Sequence, residues 1–317
     1  MRKKIVIYYH KLMLNQDPFA SFGKKRAVYH RLFQKGIARG YQMHLASGKE
    51  NCLGNYVFAH TYLYDGISFQ YHDQPIIADA IYDRSGGTSF PSPQMSQKTL
   101  NCRAFKLLCN DKYATQELLS DFMPKSVLIR NQVELQSSLK NFPINTRVVL
   151  KPTRGMCGKG IIIDFPTNLK QTELNPKMEY VLQEFVDTAK GIPNIVMGHH
   201  DLRIIIVNGK MTLAHVRTPK EGSLLANVAQ GGSLQEIRLE NIPHFIKNTA
   251  QKIQSLVDTT FNFPLYSIDF GIQNQNTPFV FELNDQIGFP QENMSQYPAF
   301  IDGLLDGLEK LASSKEL

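Results

Sequence analysis

The sequence predicts an α/β protein in which a small N-terminal α/β domain precedes a larger region of mixed strands and helices, of the α+β type. Three observations lead to this prediction. The chain has 317 residues and 42% of them are hydrophobic, which is enough for two or three subdomains that each bury a core. Strands alternate with helices over roughly the first 95 residues, as in α/β domains. From Asn110 onward the pattern changes, and adjacent strands joined by turns appear among the helices.

The N-terminal domain is predicted over residues 1–97. Its segments KKIVIYY and MHLAS are typical of core strands, and residues 24–39 between them are predicted to form an amphipathic helix that ends at Gly40. A further strand is predicted in IIADAIYDR, near residues 76–84. The segment RSGGTSFPSPQMSQ, residues 84–97, is polar and rich in turn residues, which predicts a linker.

The rest of the chain is predicted to divide into a central subdomain, residues 98–187, and a C-terminal subdomain, residues 188–317. Helices are predicted over residues 112–119, 133–140, 242–257 and about 298–311. Strands are predicted in short apolar runs, at residues 126–130 and 147–151 and in IIIDF, YVLQEFV, LRIIIVNGKMTLAHVR, YSIDFG and FVFELN.

The net charge of +7 is concentrated at the N-terminus. Residues 1–40 hold ten Lys or Arg against one acid, Asp17, which gives this segment +9 and leaves −2 for the remainder. Such a segment could attract an anionic partner. The predicted helix within it has Val28, Leu32 and Phe33 on one side, so its charges would coat the other side and face solvent. We therefore expect no nucleic acid partner.

The cysteines and the N-terminus indicate a cytoplasmic setting. No run of 18 apolar residues occurs, so no membrane association is expected, and the apolar stretch in MRKKIVIYYHKLM is too short for a signal peptide. The four cysteines are far apart and form no C-x-x-C pair, which fits neither a disulfide framework nor a zinc site: Cys52, Cys102, Cys109 and Cys157.

The segment KPTRGMCGKG places Lys151 at the end of a predicted strand and the glycines Gly155, Gly158 and Gly160 in the turn that follows. A glycine-rich turn exposes backbone N–H groups, which can cradle phosphate oxygens, and the lysine would add a positive charge. The order G-x-x-x-x-G-K-[ST] is missing, so this is not a P-loop. Most glycine hairpins are only tight turns, and this segment alone leaves both interpretations open.

A second polar cluster is predicted in YSIDFGIQNQNTPFVFELN, where two apolar runs flank a polar turn. In a symmetric hairpin centred between Gln275 and Asn276, Asp269 and Glu282 face each other, and Asn284 shares their side of the sheet. Converging carboxylates repel unless a cation lies between them, and oxygen ligands suit Mg²⁺. The alternative is that one or two of these side chains are exposed polar residues at strand ends.

Seven motifs follow one another in the order N-D-K, V-V-L-K-P with the glycine loop, Y-V-L-Q-E-F-V, D-L-R-I-I-I-V-N-G-K, L-A-N-V-A-Q-G-G-S, I-D-F-G and E-L-N. In this order they resemble the ATP-grasp superfamily over residues 110–290, particularly its glutathione-synthetase-like and spore-coat-associated members. The resemblance implies ATP and Mg²⁺ (or Mn²⁺) as cofactors, with the nucleotide in the cleft between the central and C-terminal subdomains.

The resemblance also implies roles for individual residues around the nucleotide. The nucleotide phosphates would be bound by Lys112 and Lys151, under a lid that contains Gly155, Gly158, Lys159 and Gly160. The adenosine would be received by Gln183, Glu184, Phe185, Val186 and Asp187. The catalytic residues would be Arg203, at the transferred phosphoryl group, and Lys151. The metal ligands would be Asp269, Glu282 and Asn284.

The substrate-binding residues are predicted from weaker sequence similarity than the nucleotide-binding residues. The resemblance points to Asn227, Gly231 and Gly232, and the chain itself adds Arg217, on the strand after Arg203, and Arg84, where the first domain opens toward the cleft. Either arginine could bind a substrate carboxylate. Alternatively, Arg217 could pair with a surface acid, and Arg84 could be an ordinary polar residue of the linker. The adjacent histidines His199 and His200 lack a spaced third ligand and are predicted to be loop residues.

Two features depart from the family pattern. Where relatives often have a serine among the lid glycines, this chain has Thr153, Arg154, Met156 and Cys157. After the metal motif comes NDQIGFPQE, without the small-residue run of some relatives.

The resemblance implies a carboxylate–amine ligase, in which ATP phosphorylates a carboxylate and an amine then displaces phosphate to form an amide. Its partners would be small-molecule or peptide carboxylates and amines, and a homodimer is expected because relatives are often dimers. Two alternatives remain open. One is an ATP-grasp phosphotransferase that acts on a hydroxyl or another acceptor, and the other is a binding protein with a degenerate nucleotide site.

Overall fold

A computed structural model describes residues 2–155, 158–226, 231–262 and 264–314 of the chain. Within these ranges the strands form sheets of six, four, five and three strands, and the seven α-helices pack on or between them. This arrangement confirms the predicted α/β class. The larger sheets follow one another along the chain in the predicted order, although the exact domain boundaries remain predictions.

The N-terminal domain is built on the six-stranded sheet. Its strands, in spatial order, are β6 (Phe69–His72), β5 (Thr61–Tyr64), β2 (Gln42–Ser47), β1 (Lys4–Tyr9), β8 (Ala80–Asp83) and β9 (Thr99–Leu100), with α1 (Arg26–Ala38) packed against them. A small sheet adds β3 (Cys52–Gly54), β4 (Val57–Phe58) and β7 (Ile76–Ile77). Because β1 pairs in parallel with both β2 and β8, the carboxyl ends of these three strands meet at one edge.

Two predictions in this domain need correction. The strand predicted near residues 76–84 is two strands, because Asp79 turns the chain and accepts a hydrogen bond from the Lys4 amide at 2.7 Å. The predicted linker is not a solvent-exposed connection. It contains a cis Phe90–Pro91 bond and a 3₁₀ helix, and its Phe90 and Met95 are buried in an apolar cluster with β1 and β8.

The central subdomain carries the four-stranded sheet in the order β10 (Ser126–Ile129), β13 (Tyr180–Glu184), β11 (Val148–Pro152) and β12 (Ile162–Asp164). Its helices are α2 (Arg103–Asn110), α3 (Lys112–Leu118), α4 (Gln132–Ser138) and α5 (Pro166–Leu169). The helix α2 lies where no helix is predicted from the sequence. Asp111 ends α2 and begins α3, because its carboxylate accepts from the amides of Tyr113 and Ala114 at 3.0 and 3.2 Å.

The C-terminal subdomain carries an antiparallel sheet in the order β16 (Ser233–Ile237), β15 (Lys210–Thr218), β14 (Asp201–Val207), β17 (Leu265–Gln273) and β18 (Thr277–Asn284). The helix α6 (His244–Thr260) covers one face of this sheet. The helix α7 (Tyr297–Ser313) lies on the other face, where it shares a core with the N-terminal domain. None of the helices in the described ranges has the length and apolar character needed to cross a membrane.

Part of the basic N-terminal segment has a structural role. Lys35 and Arg39, at the end of α1, pair with Asp302 and Asp306 of α7 at 2.8 and 2.7 Å. These charges therefore join the N-terminal domain to α7, which differs from the expectation that the polar face of α1 would only face solvent.

Candidate functional site

A cavity of about 360 Å³ lies between the central sheet and the five-stranded sheet. Every strand of the second sheet except β16 contributes to its lining, as do β11, β12 and β13. Most of the residues predicted from the sequence line it: Lys112, Lys151, Gly155, Gly158, Gln183, Glu184, Phe185, Val186, Arg203, Arg217, Asp269, Glu282 and Asn284. The fold thus brings together residues that are as many as 172 positions apart in the chain.

Two lysines reach this cavity from different elements. Lys151 lies on β11, is 5% exposed, and donates a hydrogen bond to Gln183 Oε1 at 3.0 Å. Burial lowers the pKa of Lys151 to about 8, against the opposing effect of Glu282. Lys112 begins α3 and donates to the Gly155 carbonyl at 2.7 Å, and its Nζ lies 3.7 Å from Glu282 Oε1. An anion placed between the lysines would stabilise both ammonium groups.

Gln183 lines the cavity, and its side chain also supports Lys151. Its side chain is buried, and besides accepting from Lys151 it donates to Ser126 Oγ at 2.8 Å. These contacts make it a positioning residue for Lys151. Glu184, Phe185 and Val186 line the cavity where the sequence places the adenine, whereas Asp187 does not line it, and its carboxylate accepts from the Ala189 amide at 2.9 Å.

The glycine loop connects two antiparallel strands, as predicted, because β11 pairs with β12 from Val148 opposite Asp164 to Leu150 opposite Ile162. Gly155 and Gly158 line the cavity, and Gly158 has a positive φ of 70°. Lys159 and Gly160 do not line the cavity. Met156 and Cys157 lie outside the described residues.

The hairpin β17–β18 places Asp269 opposite Glu282 and Ser267 opposite Asn284, as predicted. The hairpin is not symmetric as predicted, because a β-bulge shifts the strand register between Asp269 and Phe270. Phe281 is the extra residue at the bulge, and its ring lies over Gly271, where a Cβ would come within 2.0 Å of it. Phe281 is among the residues that line the cavity. Gly271 is therefore required for Phe281 to form part of the cavity wall.

Asp269 is the centre of an ion-pair cluster. Its carboxylate accepts from Arg203 at 2.7 and 2.6 Å and from Arg217 at 2.7 Å, and Asn284 donates to it at 3.2 Å. Burial alone would raise the pKa of Asp269, but the two guanidinium groups outweigh it and hold this pKa below its usual value. Arg217 also binds Asp201 through two hydrogen bonds, of 2.6 and 2.8 Å. Two arginines and two carboxylates thus hold one another on neighbouring strands.

The residues predicted to bind Mg²⁺ fit that ion by their donor chemistry. Two carboxylates and an amide lie side by side, and Mg²⁺ commonly binds through one or two carboxylates together with substrate phosphates. Among the described residues, Arg203 alone donates to Asp269 Oδ1, which leaves this oxygen a lone pair for a cation. In the described part of the chain no three His, Cys, Asp or Glu residues are placed to hold a metal by themselves. Phosphate oxygens would therefore have to complete the ligand set.

The predicted substrate residues are only partly brought together. Arg217 lines the cavity, whereas Gly231 and Gly232 precede β16 and do not line it. Asn227 lies outside the described residues. Arg84 follows β8 at the carboxyl edge of the first sheet, outside the cavity, where its Nη1 donates to the Ile287 carbonyl at 2.7 Å.

Several cavity residues were missed by sequence reasoning. Asp201 and Asp285 line it, as do Phe281 and the loop histidines His199 and His200. Asp201 stands directly before the predicted strand that carries Arg203, so the motif D-L-R contains a signal for it. Phe281 gives no such signal, because its position depends on the bulge.

Solved structures resemble the whole chain. D-alanyl-alanine synthetase A from Vibrio cholerae matches with a TM-score of 0.66 and 10% identity, covering 99% of both chains. A RimK domain ATP-grasp protein from Sphaerobacter thermophilus matches with a TM-score of 0.59 and 13% identity, over 96% of this chain and 98% of its own. At such identities the likeness establishes the fold.

Among curated proteins, one from Vibrio parahaemolyticus named a probable alpha-L-glutamate ligase is 25% identical over 209 residues, which is 64% of each chain. A protein of the same name from Psychromonas ingrahamii is 23% identical over 282 residues, 84% of this chain and 86% of its own. The first of these matches thus spans a little under two thirds of the relative's length.

The cavity lies within the part of the chain that a family model also matches. The model of the RimK-like ATP-grasp domain aligns with residues 102–298, from the start of α2 to the start of α7. This region contains every residue that lines the cavity and more than half of the chain. The architecture, the site and the family model agree, and the chain belongs to the RimK-like ATP-grasp family.

Proposed function

We propose that this protein is an ATP-dependent carboxylate–amine ligase, which forms an amide bond through an acyl phosphate and releases ADP and phosphate. One observation carries the proposal. Two lysines, a carboxylate pair and two arginines converge on a single cavity between two subdomains, and this is the set of charges that transfer of a phosphoryl group to a carboxylate needs. Family membership and the names of the relatives support the same reaction.

The lysines are proposed to bind the phosphates of ATP. Lys151 is held in the cavity by Gln183, and Lys112 approaches from the start of α3. Since they come from different elements and both line the cavity, they would neutralise the phosphates and help to orient them toward the acceptor.

The metal is proposed to be Mg²⁺, or Mn²⁺ in its place, held by Asp269, Glu282 and Asn284 together with phosphate oxygens. When bound, it supplies positive charge at the phosphate oxygens during transfer. Glu282, whose side chain is 30% exposed, is more accessible than Asp269, whose side chain is 4% exposed.

Arg203 is proposed to contact the transferred phosphoryl group and then the oxyanion that forms when the amine attacks. It shares Asp269 with Arg217, so a phosphate that binds near Asp269 would compete for the same guanidinium donors. The glycine loop is proposed to close over the phosphates and exclude water, which would otherwise hydrolyse an acyl phosphate.

The experiment is a measurement of ADP release by the purified protein with ATP and Mg²⁺, across carboxylic acids crossed with amines, followed by mass spectrometry of the product. The relatives' name makes L-glutamate the first amine and the first acid to test. Release that needs both partners and gives a condensed mass supports the proposal. A phosphorylated acceptor without an amine requirement would instead indicate a phosphotransferase. Glu282→Gln serves as the inactive control.

The proposal extends to the setting of the protein. A reducing, cytoplasmic environment, a homodimer, and the absence of nucleic acid and membrane partners remain predictions. Cys52, Cys102 and Cys109 are free thiols in the structure. Size-exclusion chromatography with light scattering tests the predicted dimer directly.

A further inference from the structure

A second group of polar side chains lies outside the cavity, at the carboxyl edge of the first sheet. Tyr9 ends β1, Arg84 directly follows β8, and Lys25 directly precedes α1. In open α/β sheets ligands bind beside the carboxyl ends of parallel strands, particularly where connections leave in opposite directions. The strand β1 lies between β2 and β8 in the sheet, so this edge has that geometry.

Arg84 is held rigidly in this place but lacks a counter-ion. Its Nη1 donates to the Ile287 carbonyl at 2.7 Å, and its guanidinium carbon lies 5.5 and 5.4 Å from the ring centres of Tyr82 and Phe289. The Nε atom is buried and has no hydrogen-bond partner among the residues that the structure describes. Among the described residues no carboxylate pairs with Arg84. A partly buried guanidinium with a buried, unsatisfied Nε and no counter-ion is costly, and an anionic ligand would lower that cost.

Lys25 adds a second cation beside the first. Burial lowers its pKa, and the charge of Arg84 lowers it further. Its Nζ approaches the backbone of Gly288, where a Cβ would lie 3.3 Å away. In the described ranges Lys25, like Arg84, has no ion pair with a carboxylate. Two neighbouring cations that are both partly buried, and that both lack an acidic partner in the described part of the chain, are unusual unless a ligand supplies the negative charge.

Two neutral groups with unused hydrogen-bonding capacity complete the cluster. Among the described residues, neither the buried Tyr9 hydroxyl nor the buried His215 Nδ1 has a hydrogen-bond partner of good geometry. His215 is 7% exposed and pairs across the sheet with Arg203, so it lies next to the site proposed for phosphoryl transfer. Burial, together with Arg203 and Arg217, lowers the pKa of His215 to about 3, which keeps the imidazole neutral. A neutral imidazole and a phenol can each share a hydrogen bond with a carboxylate.

We propose that Tyr9, Lys25, Arg84 and His215 form an anion subsite, which binds a substrate carboxylate that does not take part in the reaction. The inference rests on the proposed function, and it adds that the ligase is specific for a substrate with a second anionic group. His215 stands opposite Arg203 on the adjacent strand, so their Cα atoms are about 5 Å apart. The substrate is therefore short, with its reacting group near Arg203 and its free carboxylate in the anion subsite.

Either substrate could supply this carboxylate, and paired probes distinguish the two sources. Glutarate and butyrate differ by one carboxylate and test the acid. L-alanine and ethylamine differ in the same way and test the amine. Their dissociation constants are measured by calorimetry on the full chain, saturated with Mg²⁺ and a non-hydrolysable ATP analogue. We expect one pair to show at least about a tenfold preference for the member with the extra carboxylate.

Lys25→Met and Arg84→Met test the residues, and Lys24→Met is the matched control, since Lys24 is the exposed neighbour of Lys25. The preference should fall below about threefold in the two test variants and persist in Lys24→Met. Lys25→Met should also unfold at a urea concentration no lower than that of wild type in the absence of ligand, because an uncompensated, partly buried cation has been removed. A merely structural cation would lower this midpoint when replaced.

The inference is overturned if neither probe pair shows a preference, or if the preference survives in both Lys25→Met and Arg84→Met. Its failure is distinct from failure of the proposed function. If ADP release needs an acid and an amine, and the KM for both is unchanged in Lys25→Met, the ligase function is supported and the anion subsite is refuted. If the protein prefers the probe with the extra carboxylate but forms no amide, the anion subsite is supported and the ligase function is refuted.

Discussion

Replacing Lys151 by Met should weaken ATP binding and yet leave the unliganded protein at least as stable as wild type. The side chain is 5% exposed, and burial lowers its pKa from 10.5 to about 8. A difference of roughly 2.5 pKa units corresponds to about 3 kcal/mol, which the folded state loses by keeping the ammonium charged at neutral pH. Methionine has a similar shape and removes this cost.

One hydrogen bond opposes the gain. Lys151 donates to Gln183 Oε1 at 3.0 Å, and a buried acceptor that loses its donor costs about 1–3 kcal/mol. The net change in the free energy of unfolding is therefore about 0–2 kcal/mol in favour of Lys151→Met. The ATP complex should lose about 2–4 kcal/mol, since a buried charge-assisted contact to phosphate disappears, and this corresponds to roughly 30–1000-fold in Kd.

The assay is urea denaturation with and without an ATP analogue, together with calorimetry of nucleotide binding. Lys140→Met, at an exposed lysine of the same subdomain, is the control and should change neither quantity. Because the folded pKa of Lys151 is depressed, wild-type stability relative to Lys151→Met should rise between about pH 8 and 10.5, where the unfolded chain binds more protons. A variant that is destabilised by several kcal/mol while its ATP affinity is unchanged would refute the reasoning.

Three further predictions concern other charged groups. Glu282→Gln should abolish ADP release at an unchanged melting temperature. Asp269→Asn should abolish ADP release and also lower the stability, because Arg203 and Arg217 lose their buried counter-ion. A Glu282→Gln enzyme with full turnover would contradict the proposed metal site. Lys106→Ala should destabilise the fold by about 3–5 kcal/mol in urea titrations, because it strands the buried carboxylate of Asp83, and an unchanged midpoint would contradict this. Burial lowers the pKa of His44 to about 4, so stability should fall as the pH drops from 6.5 through 4, and His44→Gln should flatten this dependence in urea midpoints measured at pH 7, 5 and 4.

Much of the cavity could be predicted because its residues stand at the ends of strongly apolar strands. Lys151 is the next-to-last residue of β11, and Asp269 and Glu282 interrupt two apolar runs whose alternation fixes their common face. At these positions the local alternation of apolar and polar residues was sufficient to predict which side chains share a face. The pairing of Asp269 with Glu282 was predicted correctly from a symmetric hairpin, although the actual turn is offset and a bulge restores the register.

Contacts between distant segments could not be predicted in this way. The burial of Arg84 depends on Phe289 and on the Ile287 carbonyl, some 200 positions away. The double pairing of Arg217 requires Asp201 and Asp269 to lie on the two strands beyond its own. Gln183 was predicted to receive adenine because it lies on the hinge strand, and only the packed structure shows that its side chain is occupied by Lys151.

The way in which the cores are shared determines which part of the molecule can move. Ile205, Val207 and Leu213 of the five-stranded sheet belong to one apolar core with β1, α1 and α7, whereas the central sheet has a core of its own. We expect the N-terminal domain and the C-terminal subdomain to move as one rigid body, and the central subdomain to rotate relative to them when nucleotide binds. Hydrogen exchange should accordingly show ATP-dependent protection on β11 and β12 and little change on β1, and equal changes on both sides would rule out a single hinge.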